Sequence, residues 1–180
     1  NLYFKAGRTG LYHMAVDSSS DTYHGNFTID ISEFTPAANE TCAKAKSVVL
    51  SGGKATIKGD TTGTTNEYGT AINCGNYRAI LYGAQVYYRF ALTAGKSYTF
   101  TLVPKYSSAR MYIFGTTCTP AAINNDCASK GLTGHVSGYI YSGNQGVMTF
   151  KPTKTATYTL AVDGTSEIYY GAFDLYVQES

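Results

Sequence analysis

The last thirty-four residues of this 180-residue chain occur twice. Residues 1–34 align without a gap on residues 147–180 when one segment is shifted by 146 positions. Twelve positions are identical: Phe4/Phe150, Lys5/Lys151, Thr9/Thr155, Tyr12/Tyr158, Ala15/Ala161, Val16/Val162, Asp17/Asp163, Ser20/Ser166, Tyr23/Tyr169, Gly25/Gly171, Phe27/Phe173 and Glu33/Glu179. Other pairs keep the apolar pattern, as in Met14/Leu160, Ile29/Leu175 and Ile31/Val177. A self-similar period constrains a chain more than its composition does. The repeat divides the sequence into the closing strands of one unit, residues 1–34, and a complete unit over residues 35–180.

Within each copy the apolar residues alternate. Tyr12, Met14 and Val16 share one face of a strand over Leu11–Val16. Phe27, Ile29 and Ile31 share one face of a strand over Phe27–Ile31. Period two of this kind predicts strands with one buried side. The complete unit adds the alternating runs Val86–Leu92, Tyr98–Val103, Ala109–Phe114, Thr157–Val162 and Phe173–Val177. Val147–Phe150 and Gly138–Tyr141 are shorter strands, and Val48–Leu50 and Ala55–Lys58 flank a predicted hairpin at Gly52-Gly53. No helical periodicity of useful length interrupts them. Many short strands separated by Gly, Pro, Asn and Ser predict an all-β fold, an antiparallel β-sandwich.

Composition narrows the function. The net charge is +2, without a basic run, which argues against nucleic acid as a partner. No apolar run is long enough to span a membrane. The surface-type residues are Thr, Ser, Asn, Gly and seventeen Tyr rather than Lys and Glu. Asn1 falls inside an aligned strand, so the chain reads as a processed product or a window on a longer one. Cys42, Cys74, Cys118 and Cys127 lie in no C-x-x-C spacing and have no His at metal-ligand distance in sequence, so no metal is expected. Two disulfides formed in an oxidising compartment are the simplest reading. The expected pairs are Cys42–Cys74, pinning the long loop Gly59–Gly75, and Cys118–Cys127, closing a short turn through Thr119–Asp126.

No cofactor or catalytic constellation emerges, and the chain does not read as an enzyme. His13 and His24 are replaced by Thr159 and Tyr170 in the second copy, and His135 sits in G-H-V-S-G, which is not a nucleophile elbow. Asp17 and Asp163 recur at the same predicted turn after Ala-Val, where a carboxylate can bond the backbone two residues on. Asn124-Asn125-Asp126 offers too few oxygens for a calcium loop. Asn26-Phe27-Thr28 and Asn39-Glu40-Thr41 are glycosylation sequons. The strongest binding candidates are tyrosines placed outward by the alternation: Tyr87, Tyr112, Tyr139, Tyr141 and Tyr176, with Tyr169 and Tyr170 beside them. Such rings form carbohydrate platforms or protein anchors, or pair across strands.

The order N-x-x-C-x-x-A at Asn39–Ala45, then V-Y-Y-R-F-A-L-T-A-G-K-S-Y-T-F-T-L, R-M-Y-I-F and Y-T-L-A-V-D-G with a following G-A-F-D-L-Y-V resembles the bacterial pre-peptidase C-terminal domain. The resemblance spans residues 39–180, and residues 1–34 as a partial copy. It implies a secreted, bacterial, jelly-roll-like sandwich without catalytic activity, some relatives of which bind collagen or polysaccharide. The first expected function is a structural module of an extracellular or cell-surface fibre or adhesin, assembled by strand exchange with neighbouring copies of itself or with adjacent repeats. The assembly strands would present Tyr12, Met14, Val16, Phe27, Ile29 and Ile31. The second is an accessory binding domain, for polysaccharide or an extracellular matrix protein, of a secreted bacterial enzyme such as a protease.

Overall fold

The computed structural model describes residues 4, 6–69, 72, 81–128 and 140–180, the side chains of Cys127 and Ala128 excepted. The chain separates into two units, Asn1–Thr35 and Pro36–Ser180. Among the described residues of the second unit, eight strands and one α-helix follow in the order β1 (Lys46–Val48), β2 (Lys54–Asp60), β3 (Gln85–Leu92), β4 (Tyr98–Pro104), β5 (Ala109–Phe114), α1 (Pro120–Ala128), β6 (Gly146–Phe150), β7 (Ala156–Gly164) and β8 (Ala172–Glu179). The strands form two four-stranded sheets, β1-β3-β7-β5 and β2-β8-β4-β6. All pairings are antiparallel except β1 with β3. The fold is therefore the predicted β-sandwich.

The alternation read from sequence fills the space between the sheets. Val86, Tyr88, Phe90 and Leu92 of β3 meet Tyr98, Phe100 and Leu102 of β4, with Leu160 and Val162 of β7 and Phe173, Leu175 and Val177 of β8 in the same cluster. The Phe90 and Phe100 rings pack edge to face, 5.4 Å between centroids, a preferred aromatic geometry. Strands β7 and β8 are each flanked on both sides, β7 by β3 and β5 and β8 by β2 and β4.

Four expectations are corrected. Gly52 and Gly53 do make a two-residue turn, both with positive φ (57° and 76°). It closes only the Ser51–Lys54 bridge, and the flanking strands then diverge, β1 into the first sheet and β2 into the second. The turn is a corner of the sandwich rather than the head of a hairpin, and Val48–Leu50 is strand only at Val48. Thr119–Asp126 is not a turn but the start of α1. Thr119 caps it, its Oγ1 accepting from the Ala122 amide at 3.3 Å, and Pro120 occupies the first helical position, where its missing N–H costs nothing. The strands expected over Leu11–Val16 and Phe27–Ile31 do not form within the first unit, where the described residues carry no strand. The segment has no neighbouring ladder in its own unit, and two isolated strands are marginal in water. Of the short strand expected over Gly138–Tyr141, only Ile140 and Tyr141 lie among the described residues; Ile140 makes an isolated bridge to Ala109.

The fourth correction concerns the disulfides. The bridge is Cys42–Cys118, with Cα atoms 5.7 Å apart, and it replaces both expected pairs. Cys42 opens a short 3-10 turn, Cys42–Lys44, ahead of β1, and Cys118 immediately precedes the α1 cap. Both segments cover the outer face of the first sheet, so the bridge ties two covering segments to each other instead of closing each on itself. Cys74 and the Cys127 side chain lie outside the described residues.

Two predictions follow from this packing. The bridge spans 76 residues, for which loop-closure entropy gives about 4 kcal/mol of stabilisation. Cys42→Ala/Cys118→Ala should lose about that much in urea denaturation, and non-reducing peptide mapping should recover a Cys42–Cys118 cross-link. Leu160 is fully buried between the sheets, so Leu160→Ala should cost about 2–5 kcal/mol. Its neighbour Thr159 points the other way, yet it is also fully buried, and its hydroxyl has no hydrogen-bond partner. Replacing an unsatisfied buried hydroxyl by an isosteric methyl removes a desolvation cost, so Thr159→Val should hold or raise the same midpoint.

Candidate functional site

The outer face of the first sheet is not a surface. Its cross-strand rows run Gln85–Asp163–Arg110, Tyr87–Ala161–Tyr112 and Arg89–Thr159–Phe114. Tyr87 and Tyr112 do point away from the inter-sheet core, as the alternation predicted, but they are 0% and 3% exposed. They belong to a second apolar cluster with Cys42, Ile72, Leu81, Phe114, Ile123 of α1 and Ala161. This removes both as surface-binding aromatics. Ala161 leaves room for the two rings that flank it.

Polar contacts lock the covering layer in place. Tyr87 Oη donates to Gln85 Oε1 at 2.6 Å, and Gln85 Nε2 donates to Asn66 Oδ1 at 3.2 Å. Glu67 Oε2 accepts from the Cys42 amide at 2.7 Å, and Tyr68 Oη donates to the Cys118 carbonyl at 3.1 Å. Burial, reinforced by the Glu67 charge, holds the Tyr68 and Tyr87 phenols well above their ordinary range; both remain hydrogen-bond donors. The segment Asn66–Gly69 is thus held by side chains on both sides of the disulfide.

Three local contacts recur between the repeated segments, although, among the described residues, only the second forms strands. Tyr158 Oη donates to the Lys154 carbonyl at 2.9 Å, and Tyr12 Oη donates to the Arg8 carbonyl at 2.6 Å. The Phe150 and Tyr158 rings meet edge to face at 5.0 Å, and those of Phe4 and Tyr12 at 4.9 Å. The Tyr169 amide donates to Ser166 O at 3.0 Å, and the Tyr23 amide to Ser20 O at 3.0 Å. Every one of these pairs is related by 146 positions. Burial, by contrast, is reversed. Tyr158, Leu160, Val162, Phe173, Leu175 and Val177 are core residues, whereas Tyr12, Met14, Val16, Phe27, Ile29 and Ile31 are between 44% and 80% exposed. One turn differs as well: a Cβ at Gly164 would collide with the Tyr169 carbonyl, and the equivalent residue is Ser18.

Two of the outward tyrosines remain exposed. Tyr176, 44% exposed, stands at the centre of the outer face of the second sheet, in a row with Thr56, Thr101 and Val147. Tyr141, 56% exposed, rims an open groove of about 670 Å³ lined by Ser107, Ser108, Tyr141, Ser142, Thr165 and Tyr169. Tyr139 and His135 lie outside the described residues. His13 and His24 are exposed. Among the described residues no three His, Cys, Asp or Glu side chains cluster as a metal site. The Asp126 carboxylate accepts from the Gly115 amide at 2.8 Å, which ties α1 to the end of β5.

Asp163 is not a turn residue. It lies in β7, fully buried, and its Oδ1 accepts from the Gly83 amide at 3.0 Å, 80 residues away in sequence. Its Oδ2 has no partner at normal geometry. Burial pushes the carboxyl well above its ordinary 3.8, opposed by the Gly83 amide, Gln85 and Arg110. The folded chain therefore keeps a proton that the unfolded chain has already lost, so stability from this group is present at low pH and falls as pH rises above the ordinary carboxylate range. Asp163→Asn should be at least as stable as the parent at about pH 7 and should show a smaller loss between about pH 4 and pH 7. Urea midpoints of both proteins at the two pH values check this; a variant that loses more than the parent at pH 7 would mean that the charged form is the stabilised one.

No family model matches the chain, and no curated protein matches it. Among solved structures it is similar to PliG of Aeromonas hydrophila, a periplasmic lysozyme inhibitor of g-type lysozyme, at 15% identity and a TM-score of 0.46, over 76% of this chain and 96% of that one. It is also similar to the pre-peptidase C-terminal domain of a collagenase from Bacillus anthracis, at 16% identity and a TM-score of 0.47, over 74% of this chain and 94% of that one.

Proposed function

We propose that the chain is a non-catalytic extracellular structural module, a repeat or subunit of a surface fibre in which residues 1–34 supply the closing strands of a neighbouring sandwich. The observation that carries this reading is the pairing of like local geometry with opposite burial. The tyrosine bond, the aromatic pair and the turn of the closing segment recur in residues 1–34, while the apolar face that is core in one copy is exposed in the other. An exposed apolar face on a segment with strand pattern invites pairing with another sheet. The complete unit already holds its own β7 and β8, so the acceptor is a unit whose places for them are open. A head-to-tail contact of this kind does not close on itself and propagates as a filament. The Cys42–Cys118 bridge supports an oxidising location.

The test supplies such an acceptor. Residues 36–145, which lack β6 to β8, are mixed with the whole chain or with residues 36–180, and complex formation is followed by sedimentation. The whole chain should bind the fragment and residues 36–180 should not. His13→Thr/Ser18→Gly, which restores the residues found at Thr159 and Gly164, should tighten binding. Equal behaviour of the whole chain, the variant and residues 36–180 would sink the proposal.

A further inference from the structure

The end of the sandwich at which β8 finishes carries an inference that does not depend on strand exchange, because every residue in it lies in the complete unit. Three connections meet there: the corner between β1 and β2, the β3–β4 turn and the β6–β7 turn. The register brings them together, since Lys54 of β2 stands opposite Gln178, and Tyr98 of β4 stands opposite both Glu179 and Phe150. Hydrogen bonds then tie them. The Gly95 amide donates to Pro152 O at 2.9 Å, the Glu179 amide to Gly53 O at 2.8 Å and the Ser180 amide to Ser97 O at 2.8 Å. The Ala94 amide donates to Thr155 Oγ1 at 2.9 Å, and the Tyr158 hydroxyl to Lys154 O at 2.9 Å. The three turns therefore form one braced surface.

Its charge is almost all of one sign. Lys54, Lys96, Lys151 and Lys154 are exposed there, and Glu179 is the only acidic side chain among residues 49–54, 93–98, 150–156 and 178–180. Glu179 is committed to Lys96. Among the described residues no carboxylate pairs with Lys54, Lys151 or Lys154. Lys96, Lys151 and Lys154 lie in turns rather than on edge strands, so guarding an open edge does not account for them. Both basic positions of the β6–β7 turn recur in the first copy as Lys5 and Arg8, whereas Pro152 and Thr153 between them become Ala6 and Gly7. The charge is kept where the rest of the turn is not. At the corner, Val49 is 86% exposed, next to Leu50, which packs on the core. A small soluble anion would leave Val49 unused, and an apolar partner would bury ammonium groups without counter-charge. An anionic bilayer answers both features. Lysines act as point charges on flexible stems that suit a diffuse layer of phosphates, and an aliphatic tip gains by entering the headgroup boundary. We infer that this end of the sandwich docks on an anionic lipid surface, with Lys54, Lys151 and Lys154 on headgroup phosphates and Val49 in the interface.

The test sediments the whole chain with vesicles of phosphatidylglycerol and phosphatidylcholine in equal parts, or of phosphatidylcholine alone, in about 50 mM salt, where screening is weak. The chain should pellet with the first and not with the second, and about 0.5 M salt should release it. Lys151→Gln/Lys154→Gln should weaken binding by about tenfold, and Val49→Ser should weaken it severalfold. Lys58→Gln/Lys105→Gln removes the same charge around Asp174, away from this end, and should change binding by no more than about twofold. Failure to pellet with the anionic vesicles overturns the inference, and so does equal pelleting with both kinds. So do an equal loss from the Lys58/Lys105 pair, binding that survives Lys151→Gln/Lys154→Gln, no effect of Val49→Ser, or tighter binding of soluble polyphosphate at the same phosphate concentration.

Discussion

The sandwich depends on its C-terminal strands, because β7 and β8 are interior strands of the two different sheets. Each supplies two ladders. β7 pairs with β3 and β5, and β8 with β2 and β4. Without them the first sheet would fall into separate pieces, β1-β3 and β5, and the second into β2 and β4-β6. Most partners of these strands are far away in sequence, Gly59 against Phe173 and Gln85 against Asp163. Loop closure must precede the gain from such contacts, which makes assembly of the core a late, cooperative event. The closing segment is thus the part of the chain whose absence leaves the most apolar surface uncovered, and it is the part that the sequence carries twice.

That architecture was legible where one face of a strand is buried and the other is not. Val86, Tyr88, Phe90 and Leu92 announced the core side of β3, and Tyr98, Phe100 and Leu102 that of β4, because period two survives in each run. The covering layer was not legible. Tyr87 and Tyr112 obey the alternation, but parity tells which face a side chain takes, not whether something lies on that face. What lies there is aperiodic: the segment around Asn66–Gly69, the Cys42 turn and α1. The helix buries Ile123 without showing a stripe, so periodicity could not find it, although Thr119-Pro120 is a cap-and-first-turn signal. The disulfide was misread for the same reason. Loop-by-loop closure assumes that each cysteine serves its own segment, whereas Cys42 and Cys118 join two segments that share a task. In the candidate site, the apolar stripe of residues 1–34 was readable, but its missing ladder partners were not.

The two outer faces now differ in kind. The first sheet buries its outward side chains under a cross-linked layer, and this permits fully buried Asp163 and Thr159 at positions that a bare sheet would expose. The second sheet presents Thr56, Tyr176, Thr101 and Val147 in one row and Lys54, Gln178, Thr99 and Thr149 in the next. Exposed hydroxyl and amide side chains keep this face wettable without many charges. Any contact through a sheet face therefore has one face to use, while the ends of the sandwich, where the Tyr141 groove lies, remain separate from both.

The pattern of identity between the two copies also says what kind of unit could accept residues 1–34. Ala15 repeats Ala161, which sits between two buried tyrosines, and Gly25 repeats Gly171, where an added Cβ would press on Tyr106 at 3.2 Å. Tyr12 repeats the hydroxyl bond of Tyr158. These are positions where the packing leaves little choice, and they are kept. His13 and Ser18 are not. His13 takes the place of Thr159, which is fully buried between Arg89 and Phe114 in register, and a larger, ionisable ring does not fit there unchanged. Ser18 takes the place of Gly164, where a side chain would strike the Tyr169 carbonyl. Under the proposed strand exchange, a unit identical to residues 36–180 is an imperfect acceptor. The mismatch favours an acceptor of the same fold with its own covering layer, one with room opposite His13 and a different turn after β7. Such a difference would discourage a chain from exchanging strands with an identical copy and would set the order in which unlike units join.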